Sequence, residues 1–195
     1  YTLRCLHSVV TSPDKTPFEV IVADDASPDG SGTFLEKILA GIPGIRVLVN
    51  EANLGFLRSC NAAAAKARGE YLFFLNNDTA VIDGWLDELV ETFGRTPGTG
   101  LVGSKLLYPN GLLQEAGGIV WEEGAAANFG RGDDPMRPEY NFARDADYVS
   151  GAAILISRAA WKEVGGFSEE YAPAYYEDTD LAMKLRRAGK RVIYQ

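Results

Sequence analysis

Apolar residues in this chain fall into short unbroken runs separated by stretches of helical period. Tyr71-Leu72-Phe73-Phe74-Leu75 is a continuous apolar run without alternation, as expected of a strand covered on both faces. Residues 18–23 read as a buried strand and 45–49 as a further strand. Helical spacing appears over residues 2–10, where Leu3, Leu6 and Val10 share a face. A second helix is predicted through Ala40, opened by a capping-box pattern of Thr33 and Glu36. A third covers 57–67, where the run Ala62-Ala63-Ala64-Ala65 permits close packing and Gly69 is the stop. A fourth covers 85–93, with Asp83 as its N-cap. This alternation predicts a doubly wound α/β half.

From Pro97 the texture changes. A short strand at 101–103 and a turn at Tyr108-Pro109-Asn110-Gly111 lead into a glycine-rich section with apolar pieces around Trp121. Residues 130–144 are polar, mixed in charge and contain proline, so a mobile loop is expected. A strand is predicted over 148–156, then a short helix capped by Ser157 and ended by Gly165-Gly166. The last helix is predicted over 181–188, with Gly189 as its stop. No internal repeat or low-complexity tract is present. One domain is expected, with a change of texture between residues 1–96 and 97–195.

The 195 residues are 46% hydrophobic, enough for one sizeable core. A net charge of −8 with no basic run argues against a nucleic-acid partner. It leaves room for an anionic nucleotide, which a metal ion and helix N-termini hold locally. Cys5 and Cys60 lack metal spacing and read as buried free thiols, with a disulfide between them as the alternative. His7 is the only histidine and lies in a polar stretch of the first helix, which argues against Ser-His or Cys-His catalysis. No apolar run approaches transmembrane length, and no signal peptide is visible within these residues.

Three polar clusters follow strands or open a helix. Asn76-Asn77-Asp78-Thr79 ends the apolar run at the carboxyl edge of its strand, where open α/β sheets bind ligands. Asp78 there suits a hard cation that bridges phosphates, although Asn and Asp also favour turns for local reasons. Asp24-Asp25-Ala26-Ser27-Pro28-Asp29-Gly30 follows another strand, and its carboxylates could accept hydrogen bonds from a nucleobase or ribose. A capped helix entry with solvated acids explains it equally. The loop lacks both the GxxxxGK and the GxGxxG pattern. Asp178 falls at i relative to Leu181 and Leu185 at i+3 and i+7, so it shares the inward face of the last helix. The helix dipole favours negative charge there, which suits an acceptor of a hydroxyl proton. Asp180 points elsewhere, with Lys184 at i+4 as an ordinary surface partner. Asn61 faces either a ligand or local backbone.

Taken in order, Ile21-Val22-Ala23-Asp24-Asp25-Ala26-Ser27-Pro28-Asp29-Gly30, Asn53-Leu54-Gly55-Phe56 with Asn61, Leu75-Asn76-Asn77-Asp78-Thr79, Gly165-Gly166-Phe167 and Glu177-Asp178-Thr179-Asp180-Leu181 resemble the family 2 nucleotide-sugar glycosyltransferases. The resemblance is nearest to the bacterial branch that builds O-antigen, capsule or rhamnan-type polysaccharides. It implies the GT-A fold, a Rossmann-like three-layer α/β/α arrangement with a mainly parallel central sheet. It also implies roles. Asp24 or Asp25, with Asp29 nearby, would contact the base of a UDP- or dTDP-sugar, and Asn53, Asn61 and Asn77 would line the donor site. Asp78 and Asn76 would hold Mn2+ or Mg2+, Asn76 taking the first position of the family's DxD motif. Asp178 would be the general base of an inverting transfer to a saccharide or lipid-linked saccharide. Residues 149–152 and the Trp161 region would border the acceptor pocket, with 130–144 ordering over it. The family's first central strand would precede Tyr1 and a further segment would follow Gln195, so an excerpt of a longer polypeptide is expected. The setting implied is the cytoplasm at the inner face of the plasma membrane, with any membrane association through flanking regions. The alternatives are a noncatalytic sugar-nucleotide-binding scaffold domain and a nucleotidyltransferase, and the latter wants a basic phosphate loop that is absent.

Overall fold

In the computed structural model, which describes residues 1–195, the run Tyr71–Leu75 is a strand with both faces covered. Tyr71 and Phe73 lie against Phe93 and Trp85, with centroids 4.7 Å apart in each pair. Phe74 on the other face meets Trp161 and Phe167 at 4.8 and 5.3 Å. Alternate residues of a strand point to opposite faces, so two covered faces require an unbroken apolar run.

The first half is α1 (Thr2–Thr11), β1 (Val20–Asp24), α2 (Ser31–Leu39), β2 (Ile45–Val49), α3 (Phe56–Lys66), β3 (Tyr71–Leu75), α4 (Trp85–Arg95) and β4 (Thr99–Gly103). The second half opens with two hairpins, β5 (Leu106–Leu107) with β6 (Leu113–Glu115) and β7 (Gly118–Val120) with β8 (Ala126–Asn128). It continues with β9 (Arg144–Asp145), β10 (Ala153–Ser157), α5 (Arg158–Val164), α6 (Glu177–Arg187) and β11 (Arg191–Tyr194). No helix is long and apolar enough to cross a membrane.

β1 and β2 pair in parallel as a separate two-stranded sheet. Five strands form the main sheet in the order β3-β10-β4-β11-β9. The α/β, Rossmann-like class holds, and the sheet is mixed. β4 and β11 run parallel, while β10 enters between β3 and β4 antiparallel to both, and β9 is antiparallel to β11. β1 and β3 each keep one edge without a strand partner. Leu57, Leu101, Ile154, Ile156, Leu181 and Leu185 form the fully buried centre of the core. Leu89, Val102, Leu155 and Ile193 make a smaller cluster, against which Trp85, Val90 and Phe93 of α4 pack.

Several boundaries differ from expectation for identifiable reasons. The Thr33–Glu36 capping box does not form, because α2 starts at Ser31 from Gly30 in the left-handed region (φ 79°). Asp83 does not cap α4. Gly84 takes that place, and the amides of Leu86 and Asp87 donate to Asp14 Oδ1 at 2.9 Å, a cap supplied from across the chain. Residues 130–144 carry a 3₁₀ turn (Pro138–Tyr140), tied in by Tyr140 donating to Asp133 and Lys105 donating to Pro135 and Asn141. Both cysteines are free. Burial, with the charges of Glu177 and Asp25 adding, pushes the Cys60 thiol up to about 12.

Candidate active site

The carboxyl end of β3, the start of β10 and the N-terminus of α6 meet at one edge. The Leu75–Ala153 pairing continues past the sheet, because Asn76 N donates to Ala152 O at 2.9 Å. One residue earlier, Gly151 N donates to Asp178 Oδ2 at 2.9 Å. Residues 151–152 therefore join the Asn76–Asp78 turn to Asp178, by one backbone–backbone bond and one from a backbone amide to the carboxylate. The expected strand over 148–156 is only Ala153–Ser157, and the residues ahead of it form the turn that makes this junction. A Cβ on Gly103 would lie 2.2 Å from the Val149 Cβ, so β4 meets this segment only through a glycine.

α6 begins one turn earlier than its apolar pattern suggested, at Glu177. Its entry passes through Tyr175 and Tyr176 at φ 110° and 69°, a left-handed path that costs about 1–3 kcal/mol per residue. The buried Glu177 holds that path by accepting from Tyr175 N at 3.0 Å. Asp178 follows in the first turn, and its Oδ1 accepts from Thr179 N and Oγ1. Helix N-termini favour anions, so a carboxylate here is supported by its setting. Asp180 is not an ordinary surface acid. It pairs with Lys184 at 3.1 Å and accepts from Ser168 Oγ at 2.6 Å, while Lys184 donates to Gly166 O, a half-buried clasp on the loop before α6.

At the β3 turn, Asn77 Nδ2 donates to Thr2 Oγ1 at 2.9 Å, and Cys5 and Ser8 of α1 reach the backbone at Asn76 and Val81. α1 thus braces the turn, while Asp78 stands exposed at its tip. No cluster of three acidic, histidine or cysteine ligands forms anywhere in the chain. One free carboxylate beside a carboxamide still fits a hard cation whose remaining ligands come from a diphosphate and water.

The β1 loop divides its acids between roles. Asp24 is buried, accepting from Ser27 N at 3.2 Å, and a Cβ on Gly32 would lie 2.5 Å from its Oδ2, so the first turn of α2 passes Asp24 on a glycine. Asp25 is saturated inside the fold. Its Oδ1 accepts from Leu54 N, Asn50 Nδ2 and Ser59 Oγ at 2.8–2.9 Å, and its Oδ2 from Gly55 N at 2.8 Å. Burial opposes its charge, but these bonds prevail and hold the carboxyl below its usual range. Asp29 is exposed and also held low, by the Ser31 hydroxyl and amide. Asn53 is exposed and accepts from Gly55 N. Asn61 faces backbone: its carboxamide bonds Phe167 O at 2.9 Å and Phe167 N at 3.1 Å. Trp161, expected at a pocket border, is instead core, packed on Phe74 and Phe167.

Sequence reasoning passed over Glu177 and Glu115. Glu115 is 1% exposed and bonds Ser150 N at 2.8 Å. Its spacing two residues from Leu113 in a strand, which puts both on one face, was the available signal. A cleft of about 450 Å3 near the start of β11 has its charges paired in Arg186–Asp147 and Arg191–Asp145, and one of about 370 Å3 lies against the entry to α6, beside Tyr176, Thr179, Asp180 and Arg187.

Residues 1–159 match Glycosyl transferase family 2. O-antigen biosynthesis protein RfbC of Myxococcus xanthus is 38% identical over 139 residues, covering 68% of this chain and 11% of that protein. The N-acetylglucosaminyl-diphospho-decaprenol L-rhamnosyltransferase of Mycobacterium tuberculosis is 26% identical over 204 residues, covering 91% of this chain and 64% of its own length. The chain thus spans only part of either relative. Among solved structures, GalNAc-T7 with UDP, GalNAc and Mn2+ superposes with a TM-score of 0.78 at 18% identity, covering 98% of this chain and 39% of that one. The fold is that of the GT-A glycosyltransferases, and the chain belongs to glycosyl transferase family 2.

Proposed function

With that membership as premise, we propose that the chain is the catalytic domain of an inverting glycosyltransferase. It moves a sugar from a UDP- or dTDP-sugar to a saccharide hydroxyl in cell-surface polysaccharide synthesis. The observation that carries this reading is the junction at 151–152, which holds the Asp178 carboxylate beside the Asp78 turn. Asp178 accepts the proton of the acceptor hydroxyl as its oxygen attacks the anomeric carbon from the face opposite the nucleotide. Asp78 and Asn76 would hold Mn2+ or Mg2+, whose charge would offset that of the departing diphosphate. The exposed Asp29 and Asn53 would line the base side of the donor site, with Asp24 and Asp25 bracing that wall from within the fold. The M. tuberculosis relative's name specifies a lipid-diphosphate-linked acceptor, and a similar acceptor here would place the work at the cytoplasmic membrane face.

A noncatalytic sugar-nucleotide-binding domain is the second reading, favoured by the single carboxylate at the cation site. Asp178→Asn separates the two. UDP and dTDP binding, measured by calorimetry with and without Mn2+, should persist in the variant. Transfer should fall by about 1000-fold or more, as for a group acting mainly in the transition state. Undiminished transfer by Asp178→Asn would refute the base assignment, and a wild type that binds donor without transferring any sugar would favour the scaffold.

A further inference from the structure

Glu115 has no part in the chemistry above, yet it is the most enclosed acid in the chain. Its side chain projects from the end of β6 into the core, 1% exposed. Oε1 accepts from Ser150 N at 2.8 Å, while Oε2 is buried with no partner. The hydroxyls of Tyr148 and Tyr194 bond Asn128 and the Tyr140 carbonyl, and the Arg144 guanidinium bonds the Ala116 carbonyl. These groups and Asp178 of α6 are the titratable and charged neighbours from the surrounding elements. None gives Oε2 a donor. An enclosed carboxylate oxygen without one is costly as an anion. Burial therefore pushes Glu115 up to about 7, with the Ser150 amide opposing and the charge of Asp178 adding.

The amide after Ser150 is Gly151, which bonds Asp178 Oδ2. Two acids from separate elements thus grip consecutive amides of one turn. We propose that Glu115 is a positioning residue for Asp178, setting the orientation and the charge surroundings of that carboxylate through the Ser150–Gly151 turn. The inference rests on the reading of Asp178 as the base. A plain structural staple would need only an acceptor for Ser150 N, which glutamine also provides. What glutamine lacks is the ionisation. Loss of the Glu115 proton adds a second negative charge beside the acid that takes up the acceptor's proton, and like charge favours that uptake.

The test uses the whole protein. Carboxyl carbon-13 NMR from pH 4.5 to 8.5 should show Glu115 titrating near 7, and titrating lower in Asp178→Asn. An ordinary Glu115 titration in the wild type, or one unmoved by Asp178→Asn, overturns the proposal without any substrate. Transfer from UDP-N-acetylgalactosamine and dTDP-L-rhamnose to p-nitrophenyl N-acetylglucosaminide supplies the kinetic arm. Glu115→Gln should keep kcat within about threefold at pH 6 and lose the inflection near 7, while Glu115→Ala should lower kcat about tenfold at unchanged donor KM. Wild-type kcat in Glu115→Ala, or an unaltered pH profile in Glu115→Gln, refutes it. Transfer surviving in Asp178→Asn would instead sink the parent reading, whatever Glu115 does.

Discussion

Replacing Asp25 by alanine removes a carboxylate that ties three elements together. Its four bonds join the exit of β1 to Asn50 after β2 and to the Leu54 and Gly55 amides at the start of α3. Gly55 provides no side-chain cap, so Asp25 is the anion at that helix N-terminus. Each bond to a charged acceptor is worth about 1.5–3 kcal/mol when fully buried. The loss is smaller here. Leu54 is exposed and its amide can turn to water, and Asn50 still bonds Ser59 at 2.5 Å. A total of about 2–3 kcal/mol follows, or a fall in Tm of about 4–12 °C for a domain of this size. Asp25→Asn keeps an acceptor at Oδ1 but turns an amide toward Gly55 N, and should lose about 1 kcal/mol. Urea titration followed by circular dichroism at pH 7 measures both. The sign of the pH dependence is fixed by the lowered carboxyl. Its stabilisation is present above the unfolded value of about 4 and is lost as pH falls through the folded value. The gap between wild type and Asp25→Asn should therefore close in acid. An Asp25→Ala protein within about 0.5 kcal/mol of wild type at pH 7, or a gap constant down to pH ~3, would refute the clamp.

Glu115 has the opposite sign. Its folded value of about 7 stands above the ordinary 4.5, so the native state is penalised progressively as pH rises through that window. Glu115→Gln should gain up to about 3 kcal/mol relative to wild type between pH 5 and 8 in calorimetry, and a constant difference would count against it. Gly103→Ala forces a methyl against the buried Val149 and should lose about 3 kcal/mol; neutral behaviour would show that the segment at 148–152 can withdraw. Asn61→Leu breaks both bonds to Phe167 and should lose about 2 kcal/mol while leaving UDP affinity within twofold or so, whereas a large affinity loss at unchanged Tm would make Asn61 a donor contact.

The strands that were legible in the sequence were those whose pattern answers to local geometry alone. Tyr71–Leu75 lies where its unbroken apolar run puts it, because both its faces need covering, and Ile45–Val49 also forms at its expected place although Arg46 and Val49 are exposed. Helix starts were less legible. Asp83 and Thr33 are good caps by composition, yet Gly84 and Gly30 displaced them, since a left-handed residue just ahead redirects the chain before a polar cap can engage. The amides left over at α4 found Asp14, a partner 72 positions away that no local rule reveals. The reversal of β10 between β3 and β4 was hidden for the same reason: a fully buried strand looks alike in parallel and antiparallel pairing.

At the site, placement was legible where local pattern decides it: Asp78 is exposed beyond the apolar strand, and Asp178 stands one turn before Leu181 on its buried face. Acids with structural duties could not be told from binding acids by composition. Asp24 and Asp25 are adjacent in the same loop, yet one lies buried against Gly32 and the other clamps α3. The difference is made by residues 25 or more positions downstream, at Asn50, Leu54 and Ser59. Glu115 and Glu177 were illegible for a complementary reason. Each is an acid inside a stretch whose neighbours decide its burial, and each acts on backbone amides at 150 and 175 rather than on another side chain. Backbone donors carry no residue identity, so a sequence cannot announce which amide a carboxylate will hold. The residues that orient Asp178 are therefore the ones that only coordinates could supply, and substitutions at Glu115 and Glu177 test the site more sharply than further substitutions among its legible acids.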